Sequence, residues 1–319
     1  MSQTFGHASV ALDVVEGLDL TGKTALVTGG SSGLGVETVK ALVSVGAEII
    51  MPVRDAQKGK GVITLISELY PDSSIHLMDM DLSDFESIKN FADDCLKRFD
   101  KIDIIINNAG IMAGPLVRMK EGFEGQFATN HLGHFLMTGL LSSALLKSEK
   151  PIVVALSSIA HRISPIVFED IHFNERDYDK WLAYGQSKTA NALFALSLDK
   201  KLKKHGGAAY SVHPGGIMTN LQKDLTFDEM NAMGWFDEDG NPRKGFKTPA
   251  GGAATAVWAA TTEDLIDSGG AYLEDCSLAQ IVEDRRSMTG MLPHIQDEAA
   301  AEKLWKLSEG MVGRTFDFD

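Results

Sequence analysis

The sequence predicts a doubly wound α/β fold, in which one parallel sheet is covered by helices on both faces. Short runs rich in β-branched residues alternate with helical patterns from residue 24 onward. Several of these runs carry few polar residues, as expected for strands that are buried on both sides. Because strands that alternate with helices form parallel sheets, the rhythm of the chain predicts this architecture.

Six runs are predicted to be strands. They span residues 24–28, 48–51, 75–78, 104–107, 152–156 and 209–213. One helix start is well marked, because Ser83 and Glu86 have the spacing of a capping box in front of an apolar stripe. That stripe has helical spacing and includes Cys95, which is therefore predicted to be a small core residue. The other cysteine is Cys276, and both are expected to stay reduced.

Composition indicates one domain without a polyanionic partner. A chain of 319 residues with 44% hydrophobic content can bury one substantial core. The formal charge of -14 and the lack of a basic run argue against nucleic-acid binding, which concentrates Lys and Arg on one face. No Lys or Arg precedes Lys23, so neither a signal peptide nor a membrane anchor fits, and the chain is predicted to be cytoplasmic.

The regular alternation breaks down between residues 216 and 247. Methionine, tryptophan and phenylalanine side chains lie here among turn formers such as Asp239-Gly240-Asn241-Pro242. A long irregular segment rich in flexible apolar residues suits a lid over an apolar ligand. An insertion with its own small core is an equally open alternative.

A glycine-rich turn directly follows the first predicted strand and precedes a helical pattern over residues 34–46. Gly29, Gly33 and Gly35 would let the backbone approach a pyrophosphate, and the helix start offers unpaired N–H groups to its charge. The turn is therefore predicted to bind the phosphates of a dinucleotide. Its spacing departs from G-x-G-x-x-G, so an ordinary strand-to-helix turn stays open as the alternative.

The end of the second strand indicates which dinucleotide is preferred. A fold that prefers NAD usually places an acid there for the ribose hydroxyls, whereas a nearby arginine suits the extra phosphate of NADP. Here Val53 occupies the position of the acid, and Arg54 follows it. The sequence predicts a preference for NADP(H). NAD(H) stays open, because Asp55 is adjacent and a solvated loop charge is the alternative for Arg54.

Tyr184 and Lys188 lie one helical turn apart and follow the pair Ser157-Ser158. Hydride reduction of a carbonyl requires a proton for the developing alkoxide, and Tyr184 would supply it. A cation at Lys188 would lower the pKa of the phenol, and Ser158 would polarise the substrate oxygen, with Ser157 the weaker candidate. Taken alone, Tyr184 and Lys188 are also compatible with ordinary neighbours on a solvated helix face.

Together these motifs resemble the short-chain dehydrogenase/reductase family over residues 20–280. The motifs that match in order are Thr28-Gly29-Gly30-Ser31-Ser32-Gly33-Leu34-Gly35, Asp81-Leu82, Asn107-Asn108-Ala109-Gly110, Asn130, Ser158, Tyr184, Lys188 and Pro214-Gly215. Within the family, the retinol-dehydrogenase-like branch is most similar. The runs that carry this likeness are His131-Leu132-Gly133-His134-Phe135, Ser157-Ser158-Ile159-Ala160-His161 and Ser211-Val212-His213-Pro214-Gly215.

The resemblance implies roles for further residues. Asp81 would bind the adenine, and the run 107–110 would close the floor beneath the nicotinamide. Asn130 would hold a helix kink and an ordered water near Lys188. The implied cofactor contacts are Gly29, Ser31, Ser32, Gly33, Leu34, Gly35, Arg54, Asp81, Leu82, Asn108, Ala109, Gly110, Tyr184, Lys188, Pro214, Gly215, Ile217 and Thr219. Alternatively, Asp81 caps or precedes the helix that begins at Ser83, and the run 107–110 is a tight loop.

The resemblance also implies an organisation and an activity. Residues 1–20 would be an extension, residues 21–290 a catalytic domain with a Rossmann-type core, and residues 291–319 a tail or helix. The sheet order would be 3-2-1-4-5-6-7. The implied activity is hydride transfer between NADP(H) and a hydrophobic alcohol, ketone or aldehyde. Two rivals stay open: an NAD-dependent nucleotide-sugar epimerase or dehydratase, and a non-catalytic NADPH sensor.

Other chemistries fit the sequence less well. His131 and His134 lack the companion ligands of a metal site, so no metal is predicted. No Gly-x-Ser-x-Gly elbow surrounds Ser158, which argues against a serine hydrolase. Family members often pair through helices that here contain residues 124–145 and 184–205, so a homodimer or homotetramer is an open prediction.

Overall fold

In the computed structural model, which describes residues 5–319, eight strands form one sheet in the order β3-β2-β1-β4-β5-β6-β7-β8. The first seven pair in parallel, and β8 pairs antiparallel with β7. The strands are β1 (Thr24–Val27), β2 (Glu48–Val53), β3 (Ile75–Asp79), β4 (Ile104–Asn107), β5 (Ile152–Leu156), β6 (Ala208–His213), β7 (Tyr272–Glu274) and β8 (Ser277–Leu278).

The predicted architecture and the order of the first seven strands are confirmed. The six predicted strands are all present, although β2 extends to Val53 and β6 begins at Ala208. The sequence did not locate β7 or β8. A run of three residues is too short to show an alternating pattern, and the two residues of β8 lie exposed at the sheet edge.

Helices cover both faces of the sheet. They are α1 (Ala11–Val15), α2 (Leu34–Ser44), α3 (Ala56–Leu69), α4 (Phe85–Arg98), α5 (Gly125–Phe127), α6 (Gly133–Leu140), α7 (Ser142–Leu145), α8 (Lys180–Leu202), α9 (Phe227–Ala232), α10 (Pro249–Thr261) and α11 (Glu298–Val312). Successive strand residues point to opposite faces. Leu26 and Ile105 therefore join the core under α4, α6, α8 and α11, whereas Val27 and Ile106 join the core under α1, α2, α3 and α10.

The helix α4, whose N-cap was predicted to be Ser83, begins one residue later. Asp84 is its N-cap and accepts hydrogen bonds from the N–H groups of Glu86 and Ser87 at 2.9 and 3.4 Å. The predicted capping box is therefore wrong, because the Asp84 carboxylate satisfies the first N–H groups. The prediction for Cys95 is confirmed, since its side chain is fully buried and free.

The N-terminal extension packs on the core that contains Val27 and Ile106. Its first four residues lie outside the described part of the chain. The short helix α1 buries Val14 and Val15 against α2 and α10. Between residues 5 and 319, no helix is both long and apolar enough to cross a membrane.

The C-terminal segment packs on the opposite core, which contains Leu26 and Ile105. Trp305 of α11 lies edge-on to Phe135 of α6 at 4.9 Å and stacks with Phe194 of α8 at 6.0 Å, measured between ring centroids. Phe316 and Phe318 are buried beside them. The segment therefore finishes the fold and covers part of the two helices expected to form a dimer surface.

Candidate active site

Four predicted catalytic residues converge at the carboxyl ends of the central strands. Ser158 follows β5, and Tyr184 and Lys188 lie in the first half of α8. Asn130 lies in a π-helical turn over Ala128–Leu132, between α5 and α6. In doubly wound sheets this edge is where ligands bind, because the strand order reverses there and leaves a crevice.

The Tyr184 phenol lies beside the Ser158 side chain, whose interaction with the phenol acts to lower its pKa. The Ser158 Oγ also accepts a hydrogen bond from the N–H of Ala160 at 3.1 Å. The Lys188 Nζ lies 5.6 Å from the centroid of the Tyr184 ring and donates to the carbonyl oxygen of Leu156 at 2.9 Å. Both Tyr184 and Lys188 are buried, each with 5% of its surface exposed. A hydroxyl pair and a cation are thus held together in a site shielded from water.

The two adjacent serines point in different directions. Ser157 is buried, and its Oγ donates to the carbonyl oxygen of Lys188 at 2.7 Å. Ser158 instead places its hydroxyl at the phenol of Tyr184. The structure therefore separates two candidates that the sequence left open: Ser157 anchors α8 to β5, and Ser158 lies at the site.

Burial sets the ionisation of the two residues on α8. It raises the pKa of Tyr184 to about 12, although the interaction with Ser158 acts to lower it. Burial also lowers the pKa of Lys188 to about 8. The lowered phenol pKa expected from the sequence is therefore not a property of the chain by itself, because desolvation by burial is the largest influence on the phenol. Tyr184 is protonated at neutral pH and ready to donate.

Asn130 is fully buried and satisfied by specific partners. Its Nδ2 donates to the carbonyl oxygen of Ile111 and to Ser187 Oγ, each at 2.9 Å, and its Oδ1 accepts from the N–H of Ile111 at 2.8 Å. The amide thereby joins the loop after β4 to α8, one residue before Lys188. Asn130 thus lies in a π-helical turn, a feature often found at functional sites.

The glycine-rich turn forms a cradle that side chains would fill. Gly29 has a φ of +70°, and a Cβ there would lie 2.9 Å from the Asn108 side chain. A Cβ at Gly35 would lie 2.1 Å from the carbonyl oxygen of Gly29. The N-cap of α2 is Gly33, which has no side chain to bond the first N–H groups of the helix. These features fit a pyrophosphate, because phosphates can approach the backbone closely and no side chain caps the N-terminus of the helix.

The run 107–110 is tied to this turn by Thr28, a residue to which the sequence assigned no role of its own. Thr28 Oγ1 accepts hydrogen bonds from the N–H groups of Asn108 and Ala109 at 2.9 and 3.0 Å. The Asn108 Nδ2 donates to the Thr28 carbonyl oxygen at 2.8 Å. A Cβ at Gly110 would lie 3.1 Å from Asn130 Oδ1 and 3.7 Å from Lys188 Nζ. The run therefore bridges the glycine turn and the catalytic residues.

The loop after β6 reaches the same turn. A Cβ at Gly33 would meet the Thr219 side chain at 3.4 Å. Ile217 packs beside Gly252 of α10, and so does Leu34 at the start of α2. Gly215, which follows Pro214, has a φ of +97° that favours glycine at this bend. The structure thus brings the predicted contacts of this loop next to those of the glycine turn.

Arg54 is exposed at the carboxyl end of β2, immediately after the buried Val53. Asp55, which complicated the prediction, is the N-cap of α3 and accepts from the N–H of Lys58 at 3.0 Å. Its carboxylate is therefore used by the helix, and the guanidinium of Arg54 is left as the free charge at this strand end within residues 5–319.

The remaining predicted contacts occupy the turns around this crevice. Asp81 Oδ1 accepts from the N–H and the Oγ of Ser83 at 2.8 and 2.7 Å, so Asp81 forms the turn that precedes α4, whose N-cap is Asp84. Leu82 is buried in the core. Ser31 and Ser32 are half-buried in the glycine-rich turn.

The irregular segment 216–247 packs over Tyr184. It contains a 3-10 turn over Asn220–Gln222, the helix α9 and few other regular elements. The apolar cluster there contains Met112, Ala113, Ala160, Trp181, Tyr184, Leu221, Leu225, Met230 and Trp235. Its members come both from the segment and from the site, which supports the lid interpretation over an independent small core. The sequence missed Trp181, although its position three residues before Tyr184 on one helix face was a usable signal.

Comparisons with known proteins agree with this geometry. A family model described as short chain dehydrogenase matches residues 23–230. The "Probable oxidoreductase" of Streptomyces lividans is 40% identical over 295 residues, which cover 91% of this chain and 97% of that protein. Human "Retinol dehydrogenase 11" is 35% identical over 300 residues, covering 94% and 89%. A crystal structure of a Mycobacterium paratuberculosis protein has a TM-score of 0.73 at 31% identity, covering 99% and 100%.

The chain therefore belongs to the short-chain dehydrogenase/reductase family and is an oxidoreductase. Within that family it is of the retinol-dehydrogenase-like type, as the sequence motifs predicted.

Proposed function

We propose that the chain is a cytoplasmic, NADP(H)-preferring alcohol dehydrogenase or carbonyl reductase for bulky hydrophobic substrates. The observation that carries the proposal is the convergence of the Tyr184 phenol, the Ser158 side chain and the Lys188 amine beneath an apolar cover. A bound nicotinamide supplies or accepts the hydride. The two hydroxyls then hold the substrate oxygen, each as a donor.

In the reductive direction Tyr184 gives up its proton to the developing alkoxide. The phenol is protonated at neutral pH, since burial raises its pKa to about 12. Ser158 polarises the carbonyl, and Asn130 positions α8 through Ser187. Lys188 is held against β5 by the carbonyl oxygen of Leu156, so its charge stays close to the phenol ring.

The direct test is Tyr184→Phe. We expect turnover with a hydrophobic ketone to fall by roughly a hundredfold to ten-thousandfold, because proton transfer is lost. Binding of NADPH and the melting temperature should stay near those of the wild type. Ser157→Ala is the matched control, since that hydroxyl bonds the backbone and does not face the phenol. Undiminished turnover in folded Tyr184→Phe would refute the proposed mechanism.

The preference for NADP(H) rests on Arg54, which is exposed directly after Val53, the position where an acid would select NAD. We expect kcat/KM with NADPH to exceed that with NADH. Arg54→Ala should lower this ratio by roughly tenfold to a hundredfold, because a charge-assisted bond to phosphate is removed. The control is Lys60→Ala, which removes an exposed cation from the nearby helix α3 and should leave the NADPH-to-NADH ratio of kcat/KM within twofold of wild type. A wild-type ratio of one or less would contradict the preference.

The substrate class rests on the apolar cluster around Tyr184. We expect kcat/KM to rise along a series of ketones of increasing apolar size. Trp235→Ala should reduce kcat/KM for the largest ketone and spare the smallest, whereas Phe227→Ala, at a 55% exposed position of the same segment, should spare both. A steady fall of kcat/KM with apolar size would contradict this part of the proposal.

A further inference from the structure

We propose that His134 is a positioning residue that couples the glycine-rich dinucleotide turn to the residues that transfer the proton. Its ring has 2% of its surface exposed and lies between two parts of the site. The Nε2 is 2.9 Å from Thr28 Oγ1, and the Nδ1 is 2.9 Å from the carbonyl oxygen of Asn130. The inference rests on the proposed function, because it assigns the two ends of this contact to cofactor binding and proton transfer.

The partners of the ring determine where its proton lies. The carbonyl oxygen of Asn130 can only accept, so the Nδ1 of His134 carries the hydrogen. Burial lowers the pKa of His134 to about 4, so the ring holds one proton at neutral pH and its Nε2 is an acceptor. The hydroxyl of Thr28 therefore donates to Nε2, since its alternative acceptor, the carbonyl oxygen of Ile106, lies at 3.5 Å.

The Thr28 end of the contact controls the cofactor side. Because the Thr28 hydroxyl donates its hydrogen bond to His134, its oxygen can accept hydrogen bonds from the N–H groups of Asn108 and Ala109. These bonds hold the run that lies between the glycine turn and the catalytic residues. A change at the Nε2 of His134 would therefore be transmitted to the backbone that faces the dinucleotide.

The Asn130 end controls the proton-transfer side. The side chain of Asn130 braces Ile111 and donates to Ser187, the neighbour of Lys188. The backbone of the π-helical turn that carries Asn130 is held by the Nδ1–H of His134. The same imidazole thus contacts both the strand end that begins the dinucleotide site and the turn that positions the catalytic helix.

His131 provides a matched comparison within the same helical segment. It also has 2% of its surface exposed, but its Nε2 lies 2.7 Å from Ser308 Oγ in α11. Its Nδ1 has no hydrogen-bond partner in the part of the chain that the structure describes. His131 therefore fastens the C-terminal helix and does not reach the glycine turn. Equal burial with different partners makes it the control for a purely structural role.

Two substitutions separate the two ends of the His134 contact. His134→Asn keeps a donor near the position of Nδ1 and loses the acceptor for Thr28. His134→Gln can place its amide oxygen near the position of Nε2 and loses the donor to Asn130. We expect His134→Asn to raise the Kd for NADPH by roughly tenfold with kcat within threefold of wild type. We expect His134→Gln to lower kcat by roughly tenfold with the Kd within threefold.

The control is His131→Asn, for which both the Kd and kcat per folded molecule should stay within threefold of wild type even if the melting temperature falls. If both His134 variants behave as His131→Asn does while the wild type binds NADPH and turns over, the inference fails and the proposed function stands. If the wild type neither binds NADPH nor turns over, the proposed function fails, and with it the coupling.

The tautomer gives a readout that does not depend on activity. Long-range ¹H–¹⁵N spectra of ¹⁵N-histidine-labelled wild type should show two rings with the hydrogen on Nδ1 that stay neutral at pH 6, those of His161 and His134. In His134→Gln the His161 signal should remain, whereas the signal of the His134 ring should be absent. A hydrogen on Nε2 of that ring, or ordinary titration near pH 6.5, would overturn the inference.

Discussion

Lowering the pH from 7 to 5 should unfold this protein at much lower denaturant concentrations, because several of its histidines are buried in the neutral form. Burial lowers the pKa of His131 and His213 to about 3 and of His134 and His161 to about 4. An unfolded histidine titrates near pH 6.5. The unfolded chain therefore binds more protons than the folded one between pH 6.5 and 4. The stabilisation is complete above pH 6.5 and is lost as the pH falls.

The size of the effect follows from proton linkage. Each buried histidine costs about 1.4 kcal/mol of unfolding free energy per pH unit below 6.5, so it costs roughly 2 kcal/mol at pH 5. The four together amount to roughly 8 kcal/mol, which is comparable to the whole stability of a typical domain. Burial also raises the pKa of Glu124, and carboxyls of this kind oppose the loss. We therefore expect a net loss of at least about 4 kcal/mol.

The assay is urea unfolding followed by tryptophan fluorescence at pH 8, 7, 6 and 5, with potentiometric proton uptake on unfolding at pH 5.5. His131→Asn removes one buried ring. The loss of unfolding free energy per pH unit should therefore be smaller in this variant than in wild type, by about 1.4 kcal/mol. A wild-type midpoint that is constant from pH 7 to 5 would refute the reasoning.

Three further outcomes are expected. Gly35→Ala should weaken NADPH binding at least tenfold in isothermal titration, since its Cβ would lie 2.1 Å from the oxygen of Gly29, whereas Gly61→Ala has open space and should bind normally. Carbonyl reduction should slow above pH 8 as Lys188, whose pKa burial lowers to about 8, loses its charge; a rate that is constant to pH 10 would contradict this. Light scattering should give the mass of one chain, because Trp305 and its neighbours cover α6 and α8; a stable dimer through those helices would contradict it.

Local patterns in the sequence were enough to predict six of the eight strands and the ordered motifs. Six strands were predicted from short apolar runs, because five of them are buried on both faces and so carry few polar residues, a signal that does not depend on distant residues. The glycine turn was predictable for the same reason, since a backbone that must pass close to Asn108 and Ala109 admits only glycine at position 29. The short edge strands β7 and β8 carry too few residues for such a signal.

Orientation and ionisation were decided by tertiary packing. The sequence placed Ser157 and Ser158 side by side, but only the approach of α8 turns one hydroxyl to a backbone carbonyl and the other to Tyr184. Likewise the spacing of Tyr184 and Lys188 suggested an activated phenol, whereas burial, a property of the assembled fold, raises the pKa of Tyr184. The contact of His134 with Thr28 joins residues 106 positions apart, so no local pattern could have shown it.

The sequence by itself therefore determined the class of fold, the family and the set of residues available for chemistry, because periodicity, glycine placement and ordered motifs are properties of neighbouring positions along the chain. The tertiary structure alone decided which of those residues meet, which hydrogen each one carries, and how strongly each is shielded from water. These depend on how helices from both halves of the chain pack against one sheet, and hence on distances that the linear order does not contain.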